Sequence, residues 1–264
     1  MEASSRPWPK PMKSPIKDRR FKNLFVSRAK ELIPASSRVH SYGLFAGTSE
    51  LSLSHSRAVS AFTSRPTIFH FWHCLMEDPE YLYSILTDKS FKFYGAGELE
   101  VVRERLLTYA DPYYRSALFF LLNRCSTTGQ VSCGKLDLSQ YTVLALSRLR
   151  NFKKPENFQP HQEPNLVEHA RQSAKECDFV LFPTLQFNYN LFDYGKSLSY
   201  DTQRYDHAEL RRFLNDGCQK SLLVYKTHPA LKSFYKDFNF HLIDRFGNLS
   251  NDAQRCEEII VTNF

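Results

Sequence analysis

The chain has no apolar run long enough to span a bilayer: its longest candidate, Ala117 to Leu122, is stopped by Asn123 and Arg124. It lacks an apolar stretch near its first residue of the kind a secretory signal needs. Both absences lead to the expectation of no membrane partner. Six cysteines are present (Cys74, Cys125, Cys133, Cys177, Cys218 and Cys256), but none forms a Cys-x-x-Cys pair, and no Cys/His cluster with short spacings occurs. The common zinc frameworks are therefore excluded and no metal is expected; the thiols read as reduced and mostly buried, in a cytoplasmic or nuclear setting. No internal repeat is present, and beyond residue 30 the chain lacks net charge, with 26 basic and 26 acidic residues.

The whole net charge of +7 lies in residues 1–30, which hold nine Lys/Arg against Glu2 and Asp18. Such a basic head, with Arg19 and Arg20 at its centre, fits a polyanion, most simply DNA, or else a solubilising tail or a nuclear-import signal. Residues 1–17 carry Pro7, Pro9, Pro11 and Pro15 among Ser and Lys, a composition that disfavours helix and strand, so residues 1–20 read as a basic Pro-rich arm. The remainder is a folding sequence. Of 264 residues, 42% are hydrophobic and 14% aromatic, enough for the core of one large domain or two small ones.

Spacing of the apolar residues predicts helices over Phe21–Ile33, Ile68–Leu75, Tyr81–Leu86, Leu99–Tyr109, Arg115–Arg124, Leu166–Cys177, His207–Asn215 and Ala230–Asp237. Strands are predicted over Val39–Phe45, Phe179–Phe182, Ser221–Tyr225, Phe240–Ile243 and Glu258–Val261, the second of them stopping at Pro183. Helix and strand alternate at both ends of the chain, which predicts an α/β fold built on a sheet. Ser126 to Lys135 is a polar, Gly-bearing stretch, and a mixed run follows it to Pro164.

Three local patterns bear on chemistry. Gly129 to Lys135 has the spacing of a phosphate loop, but Leu136 stands where a magnesium-binding hydroxyl is needed and a helix precedes it rather than a strand. Asp111-Pro112-Tyr113-Tyr114 reads first as a helix cap followed by a first-turn proline. Tyr42 to Glu50, "YGLFAGTSE", is a strand running into a small-residue turn, where a ligand can approach the backbone closely.

Taken in order, these pieces resemble the Dam-type DNA adenine-N6 methyltransferases from about residue 15 onward. Tyr42 to Leu53 resembles that family's cofactor turn, usually Phe-x-Gly-Gly. "DPYYRSALFFLLNR" (residues 111–124) resembles the helix that ends in Leu-Asn-Arg before its target-recognition region. "ECDFVLFPTLQFNYN" (residues 176–190) falls where the family carries its catalytic Asp-Pro-Pro-Tyr. The resemblance implies a Rossmann-like methyltransferase sheet from residues 21–94 and 166–264, with a small, mainly helical recognition subdomain at 95–165. It places the catalytic positions at Phe182, Pro183, Thr184 and Leu185, and the cofactor turn at Phe45, Ala46, Gly47 and Thr48. DNA contacts would come from Arg124, Lys135, Arg148, Arg150, Lys153 and Lys154, with Arg19 and Arg20 adding phosphate contacts; an ordinary solvated face is the alternative for these side chains.

The departures from the family pattern are informative. In the family the Asp carboxylate and the following carbonyl accept hydrogen bonds from the adenine amino group, and the Tyr stacks on the flipped base. Phe182 accepts nothing and Leu185 offers no aromatic face, though Phe187 or Tyr189 could supply one. The early Gly-Gly-Lys segment is replaced by "IKDRRF", the second turn glycine by Thr48, and no acid occurs at Phe62 to Ser64 to hold a cofactor ribose; Glu50 could do so only by another geometry. The expectation is a pseudo-methyltransferase that needs no cofactor, retained for DNA binding or as a protein-interaction subunit, in the cytoplasm, on the nucleoid, or in the nucleus if the arm directs import. A divergent active enzyme using S-adenosylmethionine, and a structural protein of a virus or mobile element, are the alternatives. Phe45 and Phe182 are expected to narrow the cofactor pocket.

Overall fold

Along the central strands, alternate residues enter two separate apolar cores. Val39, Phe179, Leu181, Leu222, Val224 and Ile260 belong to one, and Tyr42, Val180, Phe182, Leu223, Tyr225, Ile259 and Val261 to the other. This is the period-two pattern of a sheet buried on both faces. The structure, a computed structural model, describes residues 13–18, 22–45, 47–187, 205–217 and 219–264.

The sheet contains β1 (Arg38–Tyr42), β2 (Ala58–Thr63), β3 (Phe158–Gln162), β4 (Phe179–Leu185), β5 (Lys220–Lys226), β6 (Asn239–Asp244) and β7 (Cys256–Thr262), in the spatial order β3-β2-β1-β4-β5-β7-β6. The pairings from β3 through β5 are parallel, and β7 runs antiparallel to both of its neighbours. The chain winds outward from β1 to β3 and then returns to place β4 on the other side of β1. The α/β fold expected from the sequence is thus observed, doubly wound, with its topological switch point between β1 and β4.

One face is covered by the helices of the first half of the chain: α1 (Phe25–Leu32), α2 (Thr48–Leu53), α3 (Pro66–Glu77), α4 (Pro79–Thr87), α5 (Ala96–Arg105), α6 (Pro112–Cys125) and α7 (Val143–Arg150). The other is covered by α8 (Leu166–Gln172), α9 (His207–Asp216) and α10 (Leu231–Phe234). Local chemistry sets several helix starts. Asp78 and Asp111 each accept a hydrogen bond from a backbone N–H three residues on, Tyr81 at 2.9 Å and Tyr114 at 2.5 Å, and a proline follows each at the first helical position. The Asp111-Pro112 pair is therefore a helix cap. Among the described residues no helix is long and apolar enough to cross a membrane.

The sequence reading lacks α2 and α7, and the elements differ from it in three further places. β4 does not stop at Pro183 but continues to Leu185, through a bulge between Pro183 and Leu185 that accommodates the missing N–H of the proline. Phe158–Gln162, inside the stretch assigned to a small subdomain, is an edge strand of the main sheet, and Leu99, Phe120 and Leu149 lie in the same core as Val39 of β1. Residues 13–18 are packed onto the body: Ile16 is buried, and the Lys17 N–H and carbonyl pair with the side-chain amide of Asn123, both at 2.9 Å.

Candidate functional site

The switch point brings together the carboxyl ends of β1 and β4, the usual ligand crevice of an open α/β sheet. β1 ends at Tyr42 and turns through Gly43 and Gly47, at φ 122° and 72°, into the short helix α2. Side chains rarely tolerate either angle. Space forbids a side chain as well. A methyl group on Gly43 would overlap the Tyr205 hydroxyl, and one on Gly47 would overlap the Trp72 indole. The bare faces of this turn thus cradle aromatic rings of the chain itself. Tyr205 donates a 2.6 Å hydrogen bond to the Tyr42 carbonyl and stands edge-on to Phe182 at 5.9 Å and 90°. Trp72 Nε1 donates to the Phe45 carbonyl at 3.4 Å.

Phe182 is wholly buried within a file of stacked rings that crosses four strands. His161 on β3 stacks on Phe62 of β2 at 4.9 Å, Phe62 on Tyr42 of β1 at 4.9 Å, and Tyr42 on Phe182 of β4 at 5.1 Å, with interplanar angles of 16° to 22°. The ladder register produces the file, since Tyr42 pairs with Phe62 and Phe62 with His161. Beyond Phe182, Pro183 and Thr184 are buried, and the Thr184 hydroxyl donates to the Val224 carbonyl at 2.7 Å. Leu185 closes the strand at φ 68°, a left-handed conformation that is strained for a leucine. Phe187 is buried against His207, Tyr225, His228 and Phe234. It is packed as core, and Tyr189 lies outside the described residues.

The ionisable groups around the crevice are displaced from their ordinary protonation. Glu50, in the first turn of α2, is buried with its carboxylate accepting from Ser49 Oγ at 2.9 Å; burial pushes its pKa up to about 7, and the charge of Asp18 adds to the rise. Beneath the ring file, the Tyr42 hydroxyl meets His169 Nδ1 and Ser173 Oγ, each at 3.0 Å. His40 lies 3.4 Å from Ser173 Oγ, and burial, with His169 as a further cause, pushes its pKa down to about 4. At the end of β2, Thr63 is buried and accepts from the Arg65 N–H at 3.2 Å. Among the described residues no group of three or more His, Cys, Asp or Glu is placed to hold a metal ion.

The expected positions are thus brought to one place in part. Phe45 is half-buried beside the turn and Thr48 opens α2; Ala46 lies outside the described residues. Phe182 is buried in its ring stack, and Tyr205 and Trp72, not Phe45, fill the space at the two glycines. The available signal for them was the pair of turn glycines, which imply close approach without saying of what.

The basic residues fall into separate groups. Arg148, Arg150, Lys153 and Lys154 are exposed along the end of α7 and the segment after it, with the Arg150 guanidinium 5.3 Å from the Tyr83 ring centre. Lys135 is exposed in a loop closed by the Ser126–Leu136 bridge, where the Gly129 carbonyl accepts from Asn123 Nδ2 at 2.7 Å. That loop follows a helix and is not a strand-to-helix phosphate cradle. Arg124 is half-buried against the N-terminal segment, its carbonyl taking the Lys17 ammonium at 2.5 Å. Arg19 and Arg20 lie outside the described residues. Comparison with protein-family models and with curated proteins gave no match.

Proposed function

We propose that the protein is a pseudo-methyltransferase: a scaffold resembling the Dam-type enzymes that carries out no methyl transfer and binds DNA. One observation carries the reading. The two positions at which such an enzyme needs an open, polar crevice are occupied by the chain's own rings, Phe182 in its stack and Tyr205 against Gly43. An amino group to be methylated needs an acceptor aimed at it, and preorganised acceptors of this kind account for orders of magnitude in rate. Phe182 supplies none, the Thr184 hydroxyl is committed to the Val224 carbonyl, and the end of β2 presents Thr63 in place of an acid. The doubly wound sheet with a switch point between β1 and β4 agrees with this descent.

DNA binding rests on the exposed cations at the end of α7 and on the basic N-terminal residues, whose charge the rest of the chain does not share. The decisive experiment combines calorimetry with S-adenosylmethionine, tritiated-methyl incorporation into duplex DNA, and a gel shift on the same duplex. The expected result is no cofactor heat, no incorporation above a protein-free control, and a salt-sensitive shift. Incorporation would overturn the pseudo-enzyme reading in favour of a divergent active enzyme. Absence of any shift would favour a protein-interaction subunit.

A further inference from the structure

The crevice between β1 and β4 has the parts of a binding site as well as an occupant. Its floor is the bare Cα of Gly43. Its acceptor is the Tyr42 carbonyl, and its walls are the ring of Phe182 and the Pro183 side chain beside Gly43. The Tyr205 ring that fills it belongs to the residue just before the cap of α9. The start of that helix is secured independently, because the Asp206 carboxylate accepts from the N–H groups of Ala208 at 2.8 Å and Glu209 at 3.2 Å. The ring can therefore be removed without removing what starts the helix.

We propose that this crevice is a binding site for a neutral, hydroxyl-bearing aromatic ring, and that Tyr205 occupies it in cis. The inference rests on reading the crevice as a disused ligand site. A ring is required because Phe182 offers an aromatic wall in edge-to-face geometry, and the missing side chain at Gly43 sets the width. A hydroxyl is required because the buried Tyr42 carbonyl otherwise loses the donor aimed at it. Neutrality is required because Tyr205 is buried there, and a charged ring would lose its hydration.

The test uses the full chain. Tyr205→Gly removes the ring and leaves a cavity shaped for p-cresol, the side chain of tyrosine as a free molecule. The variant should melt lower by roughly 10 °C, and millimolar p-cresol should recover several degrees of that loss. Toluene, which lacks the hydroxyl, should recover less, and neither compound should raise the melting temperature of the unaltered protein. Equal shifts with the two compounds, equal shifts in the unaltered protein, or no shift in a folded Tyr205→Gly variant would each overturn the proposal. A second arm does not depend on that variant folding. In Gly43→Ala the new methyl meets the Tyr205 hydroxyl, so Tyr205→Phe should relieve part of its loss in melting temperature, whereas strict additivity of the two changes overturns the proposed packing of ring on glycine. Methyl transfer by the unaltered protein would sink the pseudo-enzyme reading while these shifts decide the crevice by themselves. Failure of the shifts without methyl transfer would sink only the site.

Discussion

A carboxylate at position 182 would sit inside a stack of rings with Tyr42 on one face and Tyr205 and Phe213 at its edges. Phe182→Asp therefore restores the acceptor that the resemblance calls for at the cost of an unpaired buried charge. It should destabilise the protein by about 4 kcal/mol, as read from urea unfolding, and should gain no methyl transfer. The titrating residues give a second expectation. Burial holds His40 and His207 at about 4, against an ordinary 6.5. Between those values the unfolded chain binds more protons than the native one, so their contribution is intact above pH 6.5 and is lost as the pH falls toward 4, by at most about 3 kcal/mol for each ring. Glu50 has the opposite sign. Its native pKa of about 7 stands above the ordinary 4.5, so its contribution is intact below 4.5 and lost as the pH rises through 7. Unfolding measured from pH 4 to 8 should show Glu50→Gln raising stability at pH 8 by up to about 3 kcal/mol and changing nothing at pH 4.5.

The elements were legible where one local rule dominated. Asp78-Pro79 and Asp111-Pro112 announced two helix starts, and the apolar runs of β4, β5 and β7 announced strands buried on both faces. Phe158–Gln162 was not legible, because an edge strand containing Pro160 and His161 has neither an apolar run nor a clean alternation. α7 was missed because Val143 and Leu144 are exposed, which blurs the helical period. At the site, that position 182 offers no hydrogen-bond acceptor could be read from the residue alone. Tyr205 could not, since only the folded chain brings residue 205 against residue 43. The end of α7 carries its own test. Reversing Arg148, Lys153 and Lys154 to Glu, all exposed, should leave the unfolding midpoint unchanged. It should weaken duplex binding and flatten the log–log salt dependence by about 0.9 for each phosphate no longer neutralised. An unchanged salt dependence in gel shifts would remove this face from the DNA-binding surface.

Over the whole molecule, residues 13–18 are part of the fold. Deleting residues 1–18 removes buried Ile16 and leaves the Asn123 amide without its Lys17 partners, at a cost of about 4 kcal/mol. Deletion through residue 12 keeps each of those interactions. Thermal melts of the two truncations should therefore separate clearly, and coincident melts would show that Ile16 contributes little. The balanced charge beyond residue 30 has a counterpart here, because part of the early basic charge is tied to the body: Lys22 pairs with Glu257, and Arg28 with Glu31 at 2.6 Å. Cations so engaged are less free to meet phosphate than composition alone implies.

The position of β7 has a consequence for the order of events at the ribosome. β7 lies between β5 and β6 but is made after both. While the chain is being synthesised, β5 has β4 on one side and an open row of backbone donors and acceptors on the other, and β6 has no neighbour it can keep. Neither is satisfied until residues 256–262 have cleared the exit tunnel and slid in antiparallel between them. A ribosome that stalls late would thus hold out a nascent chain with an unpaired edge at the middle of its future sheet, a row of backbone groups open to pairing with other chains.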